Sequence, residues 1–208
     1  MDIVSLDDLT PRRLGPGISP VWSPQGTWIA FRDGSGLSII HPHGSNGHQI
    51  SRTATGSGFA FTAPQWSMDE RYVTFYAGPD GDHDVWVARA DKPEDWPIGT
   101  TPQEEYWPSF SPDGTRVAFQ RDLPGQSLAF NYVVTDPDGS NTVDVPSPML
   151  LPGLPGVWAP DGSRLLGLHK TAPGAVELYQ VDPAGLAEPV VIPIDTDWVN
   201  VSWQRVAP

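Results

Sequence analysis

The 208-residue sequence predicts an all-β protein, a β-propeller of four-stranded antiparallel blades. Three observations carry that expectation. An aromatic-anchored segment recurs as SPVWSPQGTWIAF (19–31), APQWSMDERYVTF (63–75), WPSFSPDGTRVAF (107–119) and PGVWAPDGSRLLG (155–167), with a truncated copy, NVSWQRVAP, at 200–208. Its anchors, Trp22, Trp66, Phe110, Trp158 and Trp203, fall 44, 44, 48 and 45 residues apart. Finally, 21 Gly and 24 Pro accompany nine Trp, seven Phe and five Tyr, which suits tight turns joining short core-forming strands and does not suit low-complexity disorder.

The grammar inside each copy is the same. A short strand ends in the aromatic, and a turn follows: Ser23-Pro24-Gln25-Gly26, Ser67-Met68-Asp69-Glu70, Ser111-Pro112-Asp113-Gly114 or Ala159-Pro160-Asp161-Gly162. Pro presets φ early in the turn and Gly relieves strain at its end, so the second copy, lacking both, is expected to be the least ideal. A second strand alternates, as in TWIAF and TRVAF. A polar loop then leads to a third strand, LSII, DVWVAR, NYVVT or ELYQV. A second turn (HPHG at 41–44, DPDG at 136–139, DPAG at 182–185) and a weaker fourth strand complete the unit. No sustained i, i+3, i+4 apolar stripe appears, so no helix is expected. Blades of this kind expose two apolar faces that only neighbouring blades cover. The anchor aromatics are therefore expected to be inter-blade core and not ligand platforms.

This pattern, best seen in FSPDGTRVAF…NYVVTDPDGSN, resembles the TolB-type propeller repeat over nearly the whole chain. The resemblance implies one domain, 1–208, with WD-repeat-like blades near 19–56, 62–100, 106–147 and 155–194. DIVSLDD (2–8) resembles a third strand, PRRLG (11–15) a fourth and VNVSWQ (199–204) a first. A fifth blade is thus expected from 198–208 together with 1–15, with a partial six-bladed ring as the alternative. By analogy, the resemblance also implies a bacterial periplasmic or extracellular setting and contacts with envelope proteins.

Composition removes several function classes. A net charge of −13 with only Lys92 and Lys170 as lysines argues against nucleic acid and anionic membrane surfaces as partners. No run approaches the roughly 18 apolar residues of a membrane span, so direct membrane insertion is not expected. The absence of Cys excludes thiol catalysis, zinc–thiolate sites and iron–sulfur clusters. MDIVSLDDLT shows neither a basic nor an apolar signal region, as in a cytoplasmic chain or a mature or excised domain. Gly-x-Ser-x-Gly, phosphate-loop and His-Glu-x-x-His motifs are missing, and the expectation is a non-enzyme without cofactor.

Both kinds of turn should share one side of the propeller, and the less regular loops the other. The blade-to-blade loops at 55–64, 99–108, 146–155 and 195–200 carry Phe59, Phe61, Glu104, Glu105, Tyr106, Trp107, Asp195, Asp197 and Trp198. Aromatics beside carboxylates in such loops suit a partner- or ligand-binding surface. The same rings could instead plug the channel or pack under their own loops, and both readings stay open.

Asp80, Asp82 and Asp84 alternate as in a calcium loop, but Val85 and Asp91 stand where a helix–loop–helix site needs Gly and Glu, and ordinary turn chemistry is the default. His41, His43 and His48 include a His-x-His pair, yet IIHPHGSN aligns with VTDPDGSN, which makes His41 and His43 turn residues. The expected function is a monomeric, non-catalytic scaffold or interaction module that binds a protein partner, with a peptide or carbohydrate as the other ligand classes. One alternative is a peptide- or sugar-sensing extracytoplasmic domain of a membrane-anchored regulator. The other is the propeller cap of a prolyl-oligopeptidase-like hydrolase.

Overall fold

The computed structural model describes residues 1–5, 7, 9–53, 63–79, 82–125, 129–150, 156–172 and 175–192. Each of the four longer sequence repeats forms a four-stranded antiparallel blade, and the third and fourth blades run into one eight-stranded sheet. Blade 1 is β3(Ile18–Trp22), β4(Ile29–Asp33), β5(Gly36–Ile40) and β6(His48–Ser51), preceded by the hairpin β1(Asp2–Val4) and β2(Pro11–Arg13). Blade 2 is β7(Gln65–Trp66), β8(Tyr72–Ala77), β9(Asp84–Arg89) and β10(Asp95–Pro97). Blade 3 is β11(Glu105–Phe110), β12(Val117–Asp122), β13(Phe130–Thr135) and β14(Val143–Leu150). Blade 4 is β15(Val157–Trp158), β16(Leu165–Ala172), β17(Ala175–Val181) and β18(Val190–Ile192), joined to blade 3 by the pair Leu150↔His169.

Alternation along each strand sends successive side chains to opposite faces, and the faces of adjacent blades bury each other. Ala30, Leu37, Ile39 and Ile50 of blade 1 pack on Trp66, Val73 and Phe75 of blade 2. The other face of blade 2, with Tyr76, Val85 and Val87, packs on Phe110, Val117 and Phe119. Tyr132, Val134 and Val145 of blade 3 then meet Leu165 and Val181 of blade 4. The anchor aromatic sits on the face toward the preceding blade, because it pairs with a residue of the next strand that belongs to the same core: Trp66↔Val73, Phe110↔Val117, Trp158↔Leu165. Trp66 and Trp158 each donate their indole N–H to the first strand of the preceding blade, to the carbonyls of Val21 and Ser109, both at 3.3 Å.

Trp22 departs from the expectation. Trp66 and Phe110 are buried as core anchors, but Trp22 is 50% exposed. It pairs with Ile29 and so faces the N-terminal side, where the cover among the described residues is the two-stranded β1–β2 hairpin. Met1, Ile3 and Leu14 reach Ile29, Phe31 and Ile40 and leave the indole open. Trp203, the last anchor, lies outside the described residues, and with it the expected first strand of a fifth blade.

The turns explain the punctuation of the sequence. Gly26, Gly114 and Gly162 close the first turns at φ 75°, 72° and 72°. Blade 2 makes the same turn, with Glu70 N–H donating to the Ser67 carbonyl at 3.0 Å, although Glu70 has φ 58° in place of glycine. The aspartates of these turns hold their own backbone: Asp113 accepts from Ser111 Oγ at 2.6 Å and from Thr115 N at 3.0 Å. Those bonds bring the Asp113 carboxyl below the ordinary carboxylate range.

Candidate functional site

Of the loop residues singled out by the sequence, Glu104, Glu105, Tyr106 and Trp107 are described, and the structure brings them together at the seam between blades 2 and 3. Phe59, Phe61, Asp195, Asp197 and Trp198 lie outside the described residues. The connection from β10 delivers Glu104 against the β8–β9 loop of the preceding blade. There Glu104 Oε2 accepts from His83 Nδ1 at 2.6 Å, from His83 N at 3.2 Å and from Tyr106 Oη at 2.5 Å. Burial pushes the Glu104 carboxyl up, but the bonds from Tyr106 and His83 more than offset this and hold it below its ordinary value. His83 is almost fully buried, and its carbonyl accepts from Glu105 N at 2.9 Å.

Glu105 has no exposed surface, so it cannot touch a partner directly. Its Oε1 accepts from Arg121 Nε at 2.9 Å and Thr101 Oγ1 at 3.0 Å, while Oε2 has no hydrogen-bond partner among the described residues and presses on Gly99. Burial raises the Glu105 pKa, with Arg121 and Thr101 opposing. Arg121 reaches outward as well, donating through Nη1 to the exposed Asp144 at 2.9 Å.

The register that creates this pair is built by an irregularity. β11 shifts by one residue between Tyr106 and Ser109, and Trp107 takes φ 51° there. An in-register strand would set Glu105 opposite Asp122; the bulge sets it opposite Arg121. Blade 1 carries the same device, with a shift between Ile18 and Val21 and Ser19 at φ 50°. The bulge thus recurs in blades 1 and 3, and blade 3 places a Trp on it.

Tyr106 centres an aromatic cluster. Its ring lies 5.2 Å from Tyr76 edge-on, 5.4 Å from His83 and 5.0 Å from Trp107, which in turn meets Phe130 edge-on at 5.5 Å. Burial, reinforced by the bond to Glu104, raises the Tyr106 pKa, so its hydroxyl remains a donor. Trp107 is half-buried and packs against the cores on both sides of blade 3. Tyr106 and Trp107 are thus residues of strand β11 and not of the loop before it, and both pack against the cores on either side of blade 3.

The rim of the site is acidic. Asp84 is pushed up to about 6 by burial and by the charges of Glu105 and Asp82, with His83 opposing. Asp122 is also raised, by burial and then by Glu104, and its buried Oδ1 has no hydrogen-bond partner among the described residues. The nearby guanidinium, Arg121, is committed to Glu105 and Asp144. Chemically, the site is a stiff hydrogen-bonded platform with surplus negative charge, suited to receiving cationic or donor-rich groups.

The metal candidates resolve differently. Asp80 lies outside the described residues; Asp82 is exposed, its N–H donating to the Pro79 carbonyl at 3.0 Å, and Asp84 opens β9. His41 Nδ1 meets the Thr27 carbonyl at 2.8 Å with its ring stacked 3.8 Å from Trp28, His43 Nε2 meets Ser45 Oγ at 2.8 Å, and His48 bridges the carbonyls of Asn46 and Ala90, both at 3.0 Å. Among the described residues, no group of three or more His, Asp or Glu side chains could hold a metal ion. Sequence reasoning missed His83, Arg121, Thr101 and Gly99. His83 stood inside the Asp-rich PDGDHD loop, and Arg121 was hidden by the bulge.

No family model and no curated protein sequence matches this chain. Solved structures do. An oligogalacturonate lyase in complex with manganese superposes with a TM-score of 0.68 at 18% identity, over 91% of this chain and 57% of the lyase. TolB from Acinetobacter baumannii matches with a TM-score of 0.57 at 16% identity, over 94% of this chain and 49% of TolB. A nidogen/laminin complex matches with a TM-score of 0.58 at 13% identity, over 90% of this chain and 72% of that one. The chain spans about half the length of the lyase and TolB structures. At these identities the likeness concerns architecture, and it spans enzymes and non-enzymes alike. The chain is an all-β protein of four-stranded antiparallel blades that matches β-propeller structures, TolB and oligogalacturonate lyase among them.

Proposed function

We propose that this chain is a non-catalytic, TolB-like interaction module that engages a protein partner through its loop-rich face, in a periplasmic or extracellular setting. One observation carries the reading: Glu104, His83 and Tyr106 lock the blade 2–3 loop in place beneath carboxylates left without cations. Preorganised rims of this kind cost little ordering entropy when a partner docks. Uncompensated Asp84 and Asp122, with Asp144 71% exposed at the edge, favour a partner surface bearing Lys or Arg. Glu105 and Trp107 act beneath the surface as supports.

The test is site-specific photo-crosslinking of the intact chain with bacterial envelope extract. A crosslinker at Gln103 or Asp144 should capture a discrete protein, and Asp144→Lys combined with Asp82→Lys should abolish the capture. A crosslinker at Thr115, on the turn side, should capture nothing. Equal capture from both sides, or capture indifferent to charge reversal, would reject the reading.

A further inference from the structure

The turn side holds a second feature, unconnected to the loop-rich rim. In three blades the first turn closes with Gly followed by a small hydroxyl residue: Gly26-Thr27, Gly114-Thr115 and Gly162-Ser163. Blade 2 instead places Glu70 and Arg71 at those positions. Glu70 keeps the left-handed backbone, φ 58°, that the glycines adopt freely and a residue with a Cβ adopts at a cost. A strained carboxylate where the repeat supplies glycine is a departure that turn formation does not require.

Both side chains line a cleft of about 180 Å³ between blades 1 and 2, with Trp28, Tyr72, Arg89 and Asp91 forming the rest of its polar and aromatic wall. Arg89 is already committed, bonded twice to Asp91 at 2.8 and 2.7 Å. Arg71 has no carboxylate partner among the described residues; its guanidinium lies 5.4 Å from the Tyr72 ring centre. Glu70 Oε1 accepts from Gln25 N at 2.6 Å, and its Oε2 has no partner among the described residues. The cleft thus offers one uncommitted guanidinium, one uncommitted carboxylate oxygen and two aromatic side chains. Its volume is below the roughly 300 Å³ at which drug-sized ligand pockets begin, which limits the occupant to one small molecule.

We propose that this cleft binds a free α-amino acid with an apolar side chain. The α-carboxylate pairs with the planar fork of Arg71, the α-ammonium with Glu70, and the side chain rests against Trp28 and Tyr72. A zwitterion meets both charges at once. A simple anion would leave Glu70 facing it, and a simple cation would leave Arg71 facing it.

The experiment follows amide and indole chemical shifts of the intact chain during titration with L-leucine, L-leucinamide and N-acetyl-L-leucine. L-Leucine should shift Trp28, Glu70–Tyr72 and Arg89–Asp91, and the amide and the acetyl derivative should each bind at least about tenfold more weakly. Arg71→Ala should erase the preference for leucine over its amide, and Glu70→Gln the preference over the acetyl derivative. Glu70→Gly restores the residue of the other turns, so it should fold and melt no lower than the parent while losing leucine binding. The proposal fails if L-leucine up to about 10 mM shifts nothing in the cleft. It fails equally if Arg71→Ala or Glu70→Gly binds leucine as the parent does, which would leave Glu70 as a clasp to Gln25 alone.

Discussion

Glu105 lies directly opposite Arg121, 2.9 Å from its Nε, because β11 carries one extra residue between Tyr106 and Ser109. The pair is nearly out of water on one side only: Glu105 has no exposed surface and Arg121 is 16% exposed. Removing the cation leaves a buried carboxylate unpaired, so Arg121→Met should cost on the order of 3 kcal/mol in urea unfolding. Glu105→Gln in the same background should restore part of it. Asp144→Ala, which removes only the exposed partner, should cost less than about 1 kcal/mol.

Asp84 gives a pH signature. Its pKa is raised in the folded state to about 6 from 3.8, so the stability linked to its protonated form is complete below about pH 4 and lost as pH rises through about 6. Asp84→Asn should therefore gain stability relative to the parent near neutral pH, and the gain should fade as the acid limit is approached. Thermal melts of both proteins across this range measure it; a constant offset at every pH would show that proton linkage is not the cause.

Gly99 is the tightest contact in the site. A Cβ there would stand 1.7 Å from Glu105 Oε2 and 2.5 Å from its Cδ. Glu105 is held by Arg121 and Thr101 and has nowhere open to move, so Gly99→Ala should destabilise by roughly 2 kcal/mol. The shift in the urea midpoint at unchanged slope reports it.

Trp107 tests the division between support and contact. It is half-buried against two cores, so Trp107→Ala should lower stability by about 2 kcal/mol as well as disturb the face above it. A simple loss of binding in this variant would therefore be uninformative, whereas Asp144→Lys alters the rim without touching the core. Calorimetry of both variants separates the two effects.

The N-terminal hairpin covers one face of blade 1 through Met1, Ile3 and Leu14, and Arg12 donates to the carbonyls of Pro42 and His43. Deleting residues 1–15 exposes Ile29, Phe31 and Ile40 and should lower the melting temperature substantially. An unchanged melt would show that the hairpin is an attachment without structural weight.

The blades were legible in the sequence because period, turn residues and alternation all report the same local geometry. The third strands, DVWVAR and NYVVT, fall within β9 and β13, and even the imperfect second turn was marked by its missing Pro and Gly. What the sequence concealed depends on register between distant segments. A bulge one residue long decides whether Glu105 meets Arg121 or Asp122, and residue types alone do not encode that choice. Likewise, Trp22 is half exposed on a face that meets, among the described residues, the two-stranded hairpin, although its local pattern is the same as that of the buried Trp66.

Phe110 has no N–H to give. Trp66 and Trp158 latch the first strand of their blade to a carbonyl of the one before, but at the seam between blades 2 and 3 the anchor is a phenylalanine, and the first-strand link passes instead through Glu104, Glu105 and His83. The side-chain bonds from Trp158, Ser109 and Tyr132 across the seam between blades 3 and 4 are neutral, whereas a carboxylate takes part in each of the other two seams, Glu70 with Gln25 between blades 1 and 2 and Glu104 with His83 between blades 2 and 3. As pH falls through the depressed pKa of Glu104, its bonds to His83 and Tyr106 should be lost and the seam between blades 2 and 3 should loosen, while the neutral seam between blades 3 and 4 holds.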